Sequence, residues 1–265
     1  MLLLAAAIAA ASPNTALIEA RHALGAGRLD QARAMIATAV QSGASGDPVD
    51  RLLADLAYVQ GDDERSAALC RALFDRHPSE ARLAECAGIS SLRLERLADA
   101  ETLLRSATVL PGAGWRAWNG LAAVADRRGD WGSADRAYDR ALALAPHQAA
   151  VANNRGWSLL LRGRWREAEA ELARGVALDP AMARLNNNLD LARAALQTAL
   201  PARRAAESDE AWAGRLNDAG VAAAVRGERA RAIAAFARAL DARSRWDRRA
   251  AANLAAIERD KDVTP

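Results

Sequence analysis

Aromatic side chains make up only 4% of this 265-residue chain, although 51% of its residues are hydrophobic. A core must therefore be built from Ala, Leu and other small groups. That suits closely packed helices, because Ala has the highest helix propensity and loses no side-chain entropy. Lysine is almost missing: Lys261 is the only one, and every other cationic side chain apart from histidine is Arg. The formal net charge is just +3, and Arg is mixed with acids at helix-surface spacing, as in Arg164, Arg166, Glu167, Glu169 and Glu171. A nucleic-acid footprint needs a stripe of one sign. The densest basic clusters, Arg203-Arg204 and Arg243 to Arg249, are short and flanked by acids, so no nucleic-acid partner is expected.

There are two cysteines, Cys70 and Cys86, without CxxC spacing or a nearby His to complete a zinc site. They are expected to be small buried apolar residues, with a disulfide open to them only if the chain is exported. His22, His77 and His147 join no Ser/His/Asp or Cys/His order, and no phosphate-binding glycine loop is present. The chain is thus expected to be no enzyme, with no metal, no cofactor and no small-molecule substrate. No transmembrane span is expected either. The apolar run at residues 1–11, MLLLAAAIAAA, is too short to cross a bilayer. It reads as a signal peptide, with Ala9-Ala10-Ala11 before Ser12 as the cleavage site, or as an N-terminal apolar cap, since no Lys or Arg precedes it. Export, with a periplasmic location, is the favoured expectation. A cytoplasmic location is the alternative.

What the chain does have is one pattern written repeatedly. Gly129 and Gly163, Trp131 and Trp165, Ala134 and Ala168, and Pro146 and Pro180 are each one period of 34 apart. Gly27, Gly61, Glu95, Gly129 and Gly163 continue the register and mark a turn inside each helix pair. Five residues after each comes a small side chain (Ala32, Ser66, Ala100, Ala134, Ala168), where two helices cross closely. Four later comes a larger one (Ile36, Cys70, Leu104, Tyr138, Leu172), and Pro78, Pro111, Pro146 and Pro180 stop the second helices. This predicts an array of about five repeats plus one extra helix over 12–200 and a polar loop at 201–208. A further pair follows over 209–246, and an amphipathic capping helix over 247–262.

These residues resemble the tetratricopeptide repeat family across nearly the whole chain. The resemblance implies an all-α, right-handed superhelical solenoid of antiparallel helix pairs, whose first helices line a concave groove for peptides. WRAWNGLAAVADRRGDW from Trp115 and VANNRGWSLLLRGRWREAEAEL from Val151 also resemble the repeat protein of tight-adherence (Flp-type) pilus assembly systems. The lysines of the carboxylate clamp that family members use on chaperone C-termini are missing here.

Asparagines recur near the starts of first helices, at Asn119, Asn153-Asn154, Asn186-Asn187-Asn188, Asn217 and Asn253, and the resemblance puts the position shared by Asn154, Asn188 and Asn253 on the groove side. An amide donates and accepts, so such a row can grip a peptide backbone; alternatively, each Asn bonds a neighbouring helix. Trp157 is a candidate aromatic anchor, and Arg155, where other repeats have Leu or Ala, a candidate carboxylate ligand. The expected function is a non-enzymatic scaffold holding a peptide or partner subunit in a cell-envelope, secretion or pilus assembly. The alternative is a cytoplasmic adaptor for a separately encoded enzyme.

Overall fold

The 34-residue period sets where helices start. A computed structural model describes residues 13–196, 199–242 and 248–259, and their regular structure is entirely α-helical. First helices begin at 13, 47, 81, 115 and 149: α1 (Pro13–Gly25), α3 (Asp47–Gln60), α5 (Ala81–Arg93), α7 (Trp115–Arg127) and α9 (Ala149–Leu161). Second helices follow after a tight turn: α2 (Leu29–Gln41), α4 (Asp63–Arg76), α6 (Leu97–Val109), α8 (Trp131–Leu144) and α10 (Trp165–Leu178). The rest are α11 (Ala183–Leu196), α12 (Asp209–Val225), α13 (Arg229–Asp241) and α14 (Arg248–Arg259). The expected signal segment lies outside the described residues.

The chain divides into two compact units, Met1–Leu144 and Ala145–Pro265. In the first, the second helix of each pair buries one side chain at a fixed register. Leu104 fills the place of a missing side chain at Gly88, where a Cβ would lie 2.7 Å from its Cγ. Ile36, Cys70 and Tyr138 occupy the same register, and all are nearly inaccessible to water. A fully buried Ile or Leu contributes roughly 1.5–3 kcal/mol, so burial repeated at one register replaces a single deep core.

The turn between paired helices needs a left-handed residue. Gly129 has φ 71°, and the same turn in α5–α6 is made by Glu95 at φ 58°. Asp62 and Asp130 cap α4 and α8 by accepting backbone N–H groups of Arg65 and Ser133.

Cys70 on α4 and Cys86 on α5 form a disulfide, with Cα atoms 5.9 Å apart. This corrects the expectation of two unpaired buried thiols. The second helix of one repeat packs directly on the first helix of the next, and 16 residues span that step. Arginines also tie one repeat to the next: Arg82 to Asp55 (2.7 Å) and Arg96 to Glu64 (2.6 Å). Their exposure limits each to about 0–1 kcal/mol, and they account for the even mixing of Arg with acids.

In the second unit the same packing recurs, with Leu172 against Gly156 and Phe236 against Gly220. α11 has no second helix. The chain instead runs through 201–208, which is not helical, yet it is fastened to α12. Trp212 donates to the Pro201 carbonyl at 3.2 Å, and Arg215 donates to the Glu207 carboxylate through Nε and NH2, both at 2.7 Å. That hydrogen-bonded pair, with the Arg204 backbone N–H, pulls the Glu207 carboxyl down to about 2.

Candidate peptide-binding face

In the second unit the first helices lie side by side: α9 packs against α11, α11 against α12, and α12 against α14. Asn188 on α11 donates to the side-chain oxygen of Asn153 on α9 at 2.9 Å, and Asn153 donates to Asn154 at 3.1 Å. Asn253 on α14 donates to Asn217 on α12, again at 2.9 Å. Asn217 also hydrogen-bonds the Asp218 carboxyl.

The two bridges are one motif used twice. Asn153 and Asn217 each stand three residues before a glycine (Gly156, Gly220) that receives the knob of the second helix. Both are buried, at 5% and 2% exposure, and each passes a hydrogen bond to its successor in sequence. Desolvation of two amides is thereby matched by hydrogen bonds. Asn153 is the linking residue that the choice of Asn154 and Asn188 passes over.

Of the residues singled out by sequence, Asn154 and Asn188 are joined through Asn153, and Asn217 and Asn253 directly. Asn217 is turned inward, which leaves a peptide backbone no access to its amide. Arg155 is half-buried on α9, and Asn119 is half-buried on α7 in the first unit. Trp157 is 42% exposed on α9.

Three other large apolar side chains of this unit are exposed among the described residues. Leu161 stands one turn further along α9, and Leu196 and Val225 end α11 and α12 with exposed side chains. The signal for two of them was present in the sequence. Leu161 and Val225 both stand two residues before a turn glycine, where α7 has Arg127 and α5 has Arg93.

Beside this face lies a half-buried carboxyl. Burial pushes Asp218 up to about 6, opposed by the Arg249 guanidinium and the Asn217 hydrogen bond and reinforced by the negative charge of Asp190. Among the described residues no group of three or more His, Cys, Asp or Glu is arranged to hold a metal ion. No described helix is long and apolar enough to cross a membrane.

Residues 19–81 and 124–183 match the model of the tetratricopeptide repeat family. These two stretches are tetratricopeptide repeats. No curated protein matches the chain. Among solved structures, TTC0263, a thermophilic tetratricopeptide-repeat protein of Thermus thermophilus, is 18% identical with a TM-score of 0.59, over 69% of this chain and 99% of that one. PilW, a widely conserved type IV pilus biogenesis factor, is 16% identical with a TM-score of 0.58, over 91% and 98%. PilF of Pseudomonas aeruginosa is 14% identical with a TM-score of 0.54, over 94% and 97%. At these identities the likeness is one of fold, a tetratricopeptide-repeat array of helix pairs.

Proposed function

We propose that the chain is a non-enzymatic tetratricopeptide-repeat scaffold that holds an extended segment of a partner protein on the first-helix face of its second unit. The observation that carries this reading is the exposed set Trp157, Leu161, Leu196 and Val225 on α9, α11 and α12, the first two of these helices being joined by an amide bridge. An aromatic anchor on a rigid base is the usual make-up of a binding hot spot. Asn154, Arg155 and Asn188 supply polar contacts at its side, while Asn217 and Asn253 join α12 to α14.

The place of action in this proposal is the cell envelope, in a secretion or pilus assembly. The Cys70–Cys86 disulfide supports it, because such bonds persist in oxidising compartments and are rare in the cytosol. The pilus biogenesis factor PilW and PilF share the fold and lend the pilus reading a comparison.

The test is site-specific photo-crosslinking in cells, with the probe at position 157 and a control probe at the exposed Arg71. A single partner captured at 157 and lost when Leu161→Asn is added supports the face. Equal capture at both positions overturns it. Fractionation in the same cells should find the protein outside the cytoplasm with Cys70 and Cys86 oxidised. A cytosolic, reduced protein would defeat the envelope assignment alone.

A further inference from the structure

Two clefts in the first unit are equivalent by the repeat, and their linings differ in a way the fold does not require. One lies among α2, α3 and α4 and has a volume of about 380 Å³; the other lies among α6, α7 and α8 and has about 670 Å³. Their floors correspond two periods apart: Leu53 with Leu121, Leu56 with Val124, Ala57 with Ala125. The rims do not correspond. Where the second cleft has Arg105, Arg128, Arg136 and Arg140, the chain has Ala37, Gln60, Ala68 and Ala72 two periods earlier, while the first cleft has Arg33 and Arg65 where the second has Glu101 and Ser133. Trp118 stands where Asp50 stands. The α2–α4 cleft therefore serves as an internal control: the same packing is achieved without these five side chains.

The four guanidinium groups of the second rim outnumber the carboxylates that line it, Glu101, Asp130 and Asp139. Arg105 and Arg128 both turn to one of these, Glu101. Asp130 is engaged in capping α8 through the Ser133 backbone N–H. Arg136 donates to the Ser133 hydroxyl at 3.0 Å, and Arg140 makes no hydrogen bond or ion pair with the described residues. Guanidinium groups beside an indole and an aliphatic floor suit a carboxylate next to an apolar side chain, since Arg pairs bidentately with carboxylates and is weakly hydrated.

We propose that the α6–α7–α8 cleft is a second binding site, separate from the first-helix face, for an acidic peptide segment of a partner protein. An aromatic or aliphatic side chain of that segment rests on Trp118 and Leu121, and its neighbouring carboxylates pair with Arg136 and Arg140. The reading stands apart from the function proposed above, because the cleft lies wholly in the other unit.

The experiment is fluorescence anisotropy on the full chain at low salt. The probe is a fluorescein-labelled peptide, Gly-Asp-Glu-Phe-Asp-Glu-Gly, with an Asn/Gln counterpart and a ten-nucleotide thymidine oligomer as comparisons. The wild type should bind the acidic peptide and bind the neutral one at least about tenfold more weakly. The double variant Arg136→Glu/Arg140→Glu should lose at least about tenfold in affinity. Both side chains are exposed, so helical content should stay unchanged. Arg136→Gln/Arg140→Gln provides a milder form that adds no repulsion and should lose part of the binding. Trp157→Ala should bind as the wild type does. Failure of the wild type to bind, or unaltered affinity in both double variants, would overturn the proposal. So would equal affinity for the oligonucleotide, or loss of binding in Trp157→Ala.

Discussion

Asn188 on α11 donates to the amide oxygen of Asn153 on α9 at 2.9 Å, and the same contact joins Asn253 to Asn217. The asparagines of this chain are therefore not one row presented to a ligand. Asn153 and Asn217 are buried links between neighbouring first helices, whereas Asn187 between them in sequence is exposed. Asn153→Ala should destabilise the second unit by about 1–3 kcal/mol, because it strands the Asn188 donor in a partly buried place. Asn187→Ala should stay within about 0.5 kcal/mol of wild type. Urea unfolding followed by circular dichroism decides between them, and equal midpoints for the two variants would remove the bridge as a stabilising contact.

Two glycines inside α12 should respond in opposite directions to the same change. A Cβ at Gly214 meets nothing within 4 Å, but at Gly220 it would lie 2.5 Å from Phe236 Cε1. Gly214→Ala should stabilise by about 0.5–1 kcal/mol through helix propensity. Gly220→Ala gains the same propensity and must still displace a buried ring, so a net loss of about 1–3 kcal/mol is expected. Thermal melts of the two single variants give the sign directly.

Glu95 makes the α5–α6 turn at φ 58°, where the other pairs use glycine. A side chain there costs roughly 1–2 kcal/mol. Its ion pair with Arg127 is exposed on both sides, so losing it costs a few tenths at most. Glu95→Gly should accordingly raise stability by about 1 kcal/mol, read as a higher melting temperature. An unchanged or lower value would mean that the ion pair outweighs the strain.

The repeat and the helix class are legible in the sequence because they rest on one-dimensional signals. Gly129 and Gly163 mark turns, Ala134 and Ala168 mark close crossings, and both recur at a period that a single reading can find. Other features depend on which helix neighbours which. Cys70 and Cys86 are 16 residues apart in a chain without CxxC spacing, and only the packing of α4 on α5 makes them partners. Asn153 differs from Asn154 by one position, which rotates the side chain from a half-exposed side to a buried one. The arginine-lined cleft draws on three helices at once, so its rim is scattered from Arg105 to Arg140 in the sequence.

The disulfide closes a short loop, and a bridge of this span is worth about 3 kcal/mol through the unfolded chain. Reduction with dithiothreitol should lower the stability of the first unit by that amount, read from the shift of its unfolding midpoint. The Cys70→Ala/Cys86→Ala variant should unfold identically with and without reductant. A wild-type midpoint that does not move on reduction would show that the bond is absent in solution.

Asp218 gives the second unit a pH dependence whose sign differs from that of an ordinary surface carboxylate. Its side chain is 23% exposed, and burial raises it to about 6 from the ordinary 3.8, with Arg249, Asn217 and Asp190 as the groups around it. Between about pH 4 and 6 the folded protein holds a proton that the unfolded chain has released, so stability falls as pH rises through this window and stays low above it. The size is on the order of 2 kcal/mol. Asp218→Asn keeps the shape and carries no charge at any pH. It should match the wild type near pH 4 and exceed it near pH 8, reduced only by the lost attraction to Arg249 across 4.0 Å. Unfolding midpoints at pH 4, 5, 6, 7 and 8 for both proteins decide the matter. Curves that run parallel would show that Asp218 is ionised throughout, with its charge solvated or fully met by Arg249.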